Sequence, residues 1–215
     1  MDKTTILLVR HGESEGNVLG VFTGHSGYPL TKLGHKQAEL TAEYIAAHYP
    51  VSAIYSSDLP RAFQTAEHIA HKFMLPVVTD CRFREINAGK WENKPFSELP
   101  VLFSADYAVW KNDIAHARCT CGESVLEVAQ RAINALSDVA AKHAGQCIVV
   151  VAHATPFGTT VCAVSEVTAE NMKGRSWGSN CAINEFEFAD GKLRIIREYY
   201  AEHLAGLATE LPSNV

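Results

Sequence analysis

Residues 6–17 read ILLVRHGESEGN, and the fold turns on the joint between Val9 and Arg10. Ile6 to Val9 is an apolar run of the length of a short buried strand. Such a run ordinarily closes on a turn residue. Here it closes on Arg10 and His11, a permanent cation and a side chain that titrates near neutral pH. The pattern recurs at CIVVVAHATP (147–156), where a second apolar run meets His153.

Between and beyond these two runs, strand-like and helix-like stretches alternate. A helix is expected over LTKLGHKQAELTAEYIAAHYP, with Thr31 as N-cap, Leu33, Leu40, Tyr44 and Ile45 at helical spacing, and Pro50 as its stop. AIYSS (53–57) reads as a second strand, and LPRAFQTAEHIAHKF as a second helix with Pro60 in its first turn. Pro76–Thr79 reads as a third short strand. The clearest helix is GESVLEVAQRAINALSDVAAKHAG, with a stripe of Val125, Val128, Ala132, Leu136 and Val139 ending at Gly145. After strand 147–152 another helix opens at Thr155-Pro156. INEFEF and KLRIIREYY then flank Asp190-Gly191, a two-residue hairpin signal.

This order predicts a three-layer α/β/α sandwich, a mostly parallel sheet finished by an antiparallel edge strand. Residues 1–215 are expected to form a single domain. Residues 87–121, irregular and rich in aromatics (Trp91, Phe96, Phe103, Tyr107, Trp110), read as a cap-like insertion over one end of the sheet. The tail after Leu204 carries no clear signal. In open parallel sheets ligands bind beyond the carboxyl ends of the strands. Arg10, His11 and His153 all follow strands, so they are expected on one edge, facing one pocket.

Composition narrows the classes of function. The chain has 215 residues, 47% hydrophobic and 20% charged, with a net charge of −5. Its scattered Lys and Arg residues form no basic block, which argues against nucleic acid and membrane surfaces as partners. The run Cys147 to Ala152 is far too short to span a bilayer, and Met1 to Thr5 leaves no room for a signal peptide. A soluble, cytoplasmic protein is expected. Cys81, Cys147, Cys162 and Cys181 lie in or beside apolar stretches and read as free buried thiols. Oligomeric state is open, a homodimer being compatible with the sequence.

A pocket holding two histidines and an arginine suits a phosphoryl group, because guanidinium matches its oxygens and neutral imidazole is a competent nucleophile. Arg61, at a helix start just after strand two, reaches the same edge. The free N–H groups of the helix opening after His153 favour an anion there. Glu85, in FREINAGKWE, could supply a proton to a leaving oxygen. His25, His35, His48, His68, His71, His143 and His203 read as surface or helix-face residues. HARCTC (116–121) could hold a metal, but its Cys-x-Cys spacing is not that of a usual zinc knuckle. The aromatics of the insertion read as packing, with one or two lining the pocket.

RHGESEGN, TGHSGYPLTKLGHKQA, YSSDLPRAFQTA, FREINAGKWE, the later GES and VAHATP, in this order, resemble the histidine phosphatase superfamily over nearly the whole chain. The likeness is to its phosphoglycerate mutase-like branch. The resemblance implies that His11 accepts the phosphoryl group, that Arg10, Arg61 and His153 form the phosphate pocket, and that Glu85 acts as general acid and then base. Asn17, Thr23 and Gly24 match positions that contact phosphate or substrate in that family. Many members have Ser-His-Gly at the second histidine, where this chain has Ala152-His153-Ala154. Ala154 therefore brings a Cβ close to a backbone N–H expected to meet phosphate. Mutases resemble one another in an Arg-His-Tyr-Gly stretch after the glutamate. Here Glu85 is followed by Ile-Asn-Ala-Gly-Lys-Trp-Glu, similar to the phosphatases. The expectation is a phosphomonoester hydrolase for a small phosphorylated metabolite, needing neither metal nor other cofactor and working through a phosphohistidine. The alternatives are a cofactor-dependent phosphoglycerate mutase and a non-catalytic phospho-ligand binding module.

Overall fold

The computed structural model of the chain describes residues 3–167, 172 and 177–209. Six strands form one sheet in the order β3-β2-β4-β1-β5-β6: β1 (Thr4–Arg10), β2 (Val51–Ser56), β3 (Val77–Thr79), β4 (Cys147–Ala152), β5 (Ile183–Ala189) and β6 (Lys192–Tyr200). β1 through β4 are mutually parallel, while β5 runs antiparallel to β1 and β6 antiparallel to β5. The antiparallel edge is thus a two-strand hairpin. Asp190 and Gly191 at its turn both have positive φ, 53° and 74°, the requirement of the tight primed turns that Asp-Gly favours.

Every residue of β4 is buried, and so is nearly all of β1, because helices cover both faces. The strand period of two divides their side chains between two cores. Ile6, Leu8, Ile148 and Val150 meet Leu136, Val139, Phe157 and Val161 of α6 (Val125–Lys142) and α7 (Ala154–Val164). Leu7, Val9, Val149 and Val151 meet Ala42, Ile45, Ala62, Ala66 and Ile69 of α2 (Lys32–His48) and α3 (Pro60–Phe73). Ser124 and Glu127 cap α6 reciprocally, a device that contributes about 1 kcal/mol.

Three expectations need correction. The buried face of α2 is Gly34, Gln37, Ala38, Thr41, Ala42 and Ile45, so Leu33, Leu40 and Tyr44 lie to its sides. Gln37 is buried because its carbonyl accepts the Glu13 N–H at 2.8 Å and its amide donates to the Leu207 carbonyl at 2.7 Å. Residues 87–121 are not irregular: they contain α4 (Leu99–Leu102) and α5 (Ser104–Asn112). Their core is an aromatic cluster in which Trp91, fully buried, touches Phe22, Phe103, Tyr107 and Trp110. A short helix α1 (Glu15–Leu19) completes the elements near the site. All six cysteines are free, but Cys81 is exposed and Cys119 is buried, the reverse of the expectation for Cys81. Among the described residues no helix is long and apolar enough to cross a membrane.

Candidate active site

The register of the two central strands brings the two histidines together. β1 and β4 are neighbours with Arg10 opposite Ala152, and the His11 N–H bonds the Ala152 carbonyl at 3.0 Å. His11 and His153 therefore leave adjacent parallel strands at the same level. Their rings meet edge to face, with centroids 5.1 Å apart. His11 Nδ1 lies 2.6 Å from the Gly12 carbonyl, which can only accept, so Nδ1 carries the hydrogen. Nε2 in turn accepts from Arg61 Nε at 3.2 Å. This is the neutral imidazole with its Nε2 lone pair turned toward Arg61.

Arg61 sits in the first turn of α3, where Pro60 starts the helix without an N–H to satisfy. Its fork also donates to the carbonyls of Gly24 and Ser26, at 2.8 and 2.9 Å, and so ties loop 23–26 to the histidine. Gly24 has φ of 44°, and a Cβ there would lie 2.2 Å from Glu92 Oε1. Glu92 needs that space: its carboxylate accepts from the His25 N–H and the Ser26 hydroxyl, both at 2.7 Å. On the other side, Ser57 Oγ lies 2.8 Å from His153 Nε2. Arg10 donates from Nη1 to the Gly178 carbonyl at 2.5 Å. Arg10 Nε and His153 Nδ1 are buried and have no hydrogen-bond partner among the described residues. An unpaired buried polar atom of this kind is costly unless a ligand or water supplies the partner.

Burial shapes the charge of this cluster. Loss of solvent, joined by the fields of Arg61 and Arg10, holds His11 well below its ordinary value near 6.5, against a smaller opposing contribution from the Gly12 carbonyl. His153 is pushed down the same way, by burial first and then by Arg61 and His11. Both imidazoles are neutral at pH 7. Burial also brings Arg10 and Arg61 down to about 10, with Glu85 opposing the shift, and both guanidiniums stay charged.

Glu85 follows a short helical turn, Cys81–Phe83, and is 7% exposed. Its Oε1 accepts the N–H groups of Ile86 at 2.8 Å and Thr155 at 3.1 Å. The open N-terminus of α7 therefore faces the carboxylate, and Ala154 lies in the same turn.

Arg10, His11, Asn17, Thr23, Gly24, Glu85 and Ala154 line one cleft, with a cavity volume of about 60 Å³. Arg61 and His153 stand behind His11. All nine sequence-predicted site residues are thus brought together. Asn17 also caps α1, its Oδ1 accepting from the Ser14 N–H and hydroxyl, which leaves the amide N–H₂ for the cleft. The outer wall is apolar: Val21, Phe22, Phe96, Trp110 and Trp177. Lys90, Lys94, Lys111 and Arg118 are exposed and none lines the cleft.

Several supporting residues escaped the sequence reading. Buried Asn180 donates to the His11 carbonyl at 2.9 Å and accepts from Thr209 in the unassigned tail, at 2.7 Å. Residues 210–215 of that tail lie outside the described residues. His25, expected at the surface, bonds the Glu85 carbonyl through Nε2 at 2.8 Å. Arg131 and Glu123 grip the Glu85 segment from behind. Of these only Glu123 carried a sequence signal, its place in the Gly122-Glu123-Ser124 stretch. HARCTC does not converge: His116 pairs with Asp113, Cys119 packs in the aromatic cluster, and Cys121 is exposed. Among the described residues no three metal-ligating side chains gather anywhere.

The profile of the histidine phosphatase superfamily (branch 1) matches residues 6–200. Phosphoserine phosphatase 1 of Hydrogenobacter thermophilus is 32% identical, the match covering 82% of this chain and 81% of that protein. Phosphoglycerate mutase-like protein 4 of Arabidopsis thaliana is 31% identical over 89% and 82%. A phosphoserine phosphatase from Entamoeba histolytica, solved in complex with phosphoserine, superposes with a TM-score of 0.82 at 27% identity, covering 94% of this chain and 99% of that one. The chain belongs to the histidine phosphatase superfamily. It is a phosphatase, a phosphoric monoester hydrolase built on that family's mostly parallel sandwich.

Proposed function

We propose that this phosphatase hydrolyses a small phosphomonoester without a metal, through a phosphohistidine on His11. The observation that carries the reading is the His11 ring, held neutral with Nδ1–H on the Gly12 carbonyl and Nε2 facing Arg61. Arg10 Nε, a donor, and His153 Nδ1 lie beside it without a hydrogen-bond partner among the described residues. A phosphoryl group at this point gives the Arg10 Nε–H an acceptor and His11 Nε2 an electrophile. Arg10 and Arg61 supply the positive charge that magnesium supplies in many other phosphotransferases. Asn17, Thr23, Gly24 and Ala154 complete the substrate site, the last through its backbone N–H in the first turn of α7.

In the first step Nε2 attacks phosphorus, the ester P–O bond breaks, and its electron pair leaves with an oxygen that takes the proton of Glu85. In the second, water attacks the phosphohistidine, gives its proton to Glu85, and the N–P electron pair returns to Nε2. Residues 87–121 act as the cap, and their aromatic wall favours a leaving group of low polarity. That wall also supports hydrolysis over the mutase reaction. A mutase must hold a second phosphate and a carboxylate, and none of the four cations of residues 87–121 lines the cleft.

Rapid acid-free quenching of enzyme turning over a radiolabelled monoester should trap acid-labile phosphate on the wild-type protein and none on His11→Ala, which should also lose about 10⁴-fold or more in kcat while remaining folded. Chelation should leave the rate unchanged. Near wild-type kcat in His11→Ala would sink the mechanism. Efficient interconversion of 2- and 3-phosphoglycerate with negligible phosphate release would move the assignment to the mutase.

A further inference from the structure

The sequence motif Gly122-Glu123-Ser124 and the cation of α6 that follows it have no role in the chemistry above, yet they converge behind Glu85. Ser124 caps α6, and that helix presents Arg131, 21% exposed along its side chain, to the segment carrying Glu85. One guanidinium there binds three backbone carbonyls within four residues: Nη1 donates to those of Arg82 and Arg84, at 2.8 and 2.7 Å, and Nη2 to that of Glu85, at 2.9 Å. Its remaining edge is filled by Glu123, with Nε to Oε1 at 2.7 Å and Nη2 to Oε2 at 2.9 Å. Glu123 Oε2 also accepts the Asn87 N–H at 3.1 Å, and the Glu123 N–H returns to the Asn87 carbonyl at 2.8 Å. Gly122 makes this approach possible, since a Cβ there would lie 2.2 Å from the Asn87 carbonyl oxygen.

We infer that Arg131 is the positioning residue for Glu85, and that Glu123 holds Arg131 in register for that task. The inference rests on Glu85 being the general acid and base. Among the described residues the Glu85 side chain is fixed on its own by two N–H groups, those of Ile86 and Thr155. Its main chain lies in a connection without strand pairing, so the clamp substitutes for a sheet ladder. Only a planar fork can bond carbonyls on one edge and a carboxylate on the other. The Arg131 side chain does not line the cleft, and its hydrogen bonds reach the site through the segment that carries Glu85.

The test separates positioning from mere support of the fold. An alkyl phosphate needs a proton on its leaving oxygen, whereas 4-nitrophenyl phosphate departs without one. For each variant the readout is kcat/KM on the alkyl ester divided by kcat/KM on the nitrophenyl ester. Glu85→Gln should lower this ratio about 10²-fold. Arg131→Lys and Glu123→Gln should lower it about tenfold and should also make the phosphoenzyme accumulate, because the same carboxylate serves the second step. If Glu85→Gln lowers the ratio but both clamp variants match wild type, or lose both substrates equally, the inference is wrong and the acid assignment stands. If Glu85→Gln leaves the ratio untouched, the acid assignment itself falls. Glu123→Gln, which keeps the shape of the side chain, serves where Arg131→Lys does not fold.

Discussion

At the phosphate end of the cleft, Arg10, His11 and His153 are carried on or directly after the two central strands, and Arg61 on the first turn of a helix. At the mouth, the wall is made by Phe22 and by Phe96, Trp110 and Trp177, side chains on loops and on α5. The first set is held by hydrogen bonds of fixed direction and by strands buried on both faces. The second is held by ring-to-ring packing, which tolerates change of shape far better. The difference teaches where reaction and selectivity are written. Phosphoryl chemistry needs atoms fixed to a fraction of an ångström, and only the sheet edge provides that. Choice among leaving groups needs a surface that can vary without moving the sheet.

The largest effect should come from disturbing the fixed end. Arg61→Lys keeps the charge but loses the fork that joins His11 Nε2 to the carbonyls of Gly24 and Ser26. A fall of about 10²-fold or more in kcat/KM is expected on every monoester alike. A loss confined to one class of leaving group would show that Arg61 belongs to selectivity, and the contrast between the two ends would break.

The legibility of the chain follows the same division. β1 and β4 could be read because a strand buried on both faces is a plain apolar run, and the residues just past such runs fall on one edge by topology. α6 could be read from its stripe. α2 could not be fully read, because Gly34, Gln37 and Thr41 share its buried face with Ala38, Ala42 and Ile45 and break up the apolar period. Gln37 is inside because of partners at Glu13 and Leu207, a reason that exists only once the chain has folded. The helices of 87–121 were hidden for a related cause. Pro100 in the first turn of α4 and the unperiodic aromatics resemble a loop until Trp91 supplies the centre they pack on. The side chains of Arg131 and Asn180 donate to backbone carbonyls and that of Glu123 accepts a backbone N–H, and no residue spacing announces such contacts.

A smaller effect, and a sharper probe of the fixed end, is the response of its histidines to acid. An ordinary imidazole is about nine-tenths protonated at pH 5.5. Burial, joined by Arg61 at both rings and by Arg10 at His11, pulls His11 and His153 well below that ordinary value. Imidazole nitrogen NMR should therefore find both rings in the neutral form at pH 5.5. The sign for stability follows from linkage. Unfolded histidines take up protons near pH 6.5 while the folded ones do not, so the stabilisation is whole above that pH and is lost as pH falls below it, by up to roughly 1.4 kcal/mol per unit for each ring. The unfolding midpoint should drop accordingly between pH 7 and pH 5. Resonances of His11 that titrate near 6.5 would mean that the pocket is wetter than its geometry implies.

The smallest effect should come from the mouth. Phe96 is half-buried, lines the cleft, and touches Phe22 at a centroid distance of 5.5 Å. Phe22 keeps its other two ring partners, Trp91 and Trp110, at 5.4 and 5.3 Å, so the wall can lose one ring without collapsing. Phe96→Ala removes apolar contact from the leaving group and leaves Arg10, His11, Arg61 and Glu85 where they are. For an aryl phosphate KM should rise several-fold, about 1 kcal/mol of lost burial. For a small alkyl phosphate it should scarcely move, and the amount of phosphoenzyme trapped at saturation should equal that of wild type. Such a split keeps selectivity at the mouth and chemistry at the sheet edge. A Phe96→Ala enzyme that instead lost kcat on both esters would show that the aromatic wall holds the catalytic groups in place, and the division between the two ends would have to be redrawn with the cap as part of the reaction machinery.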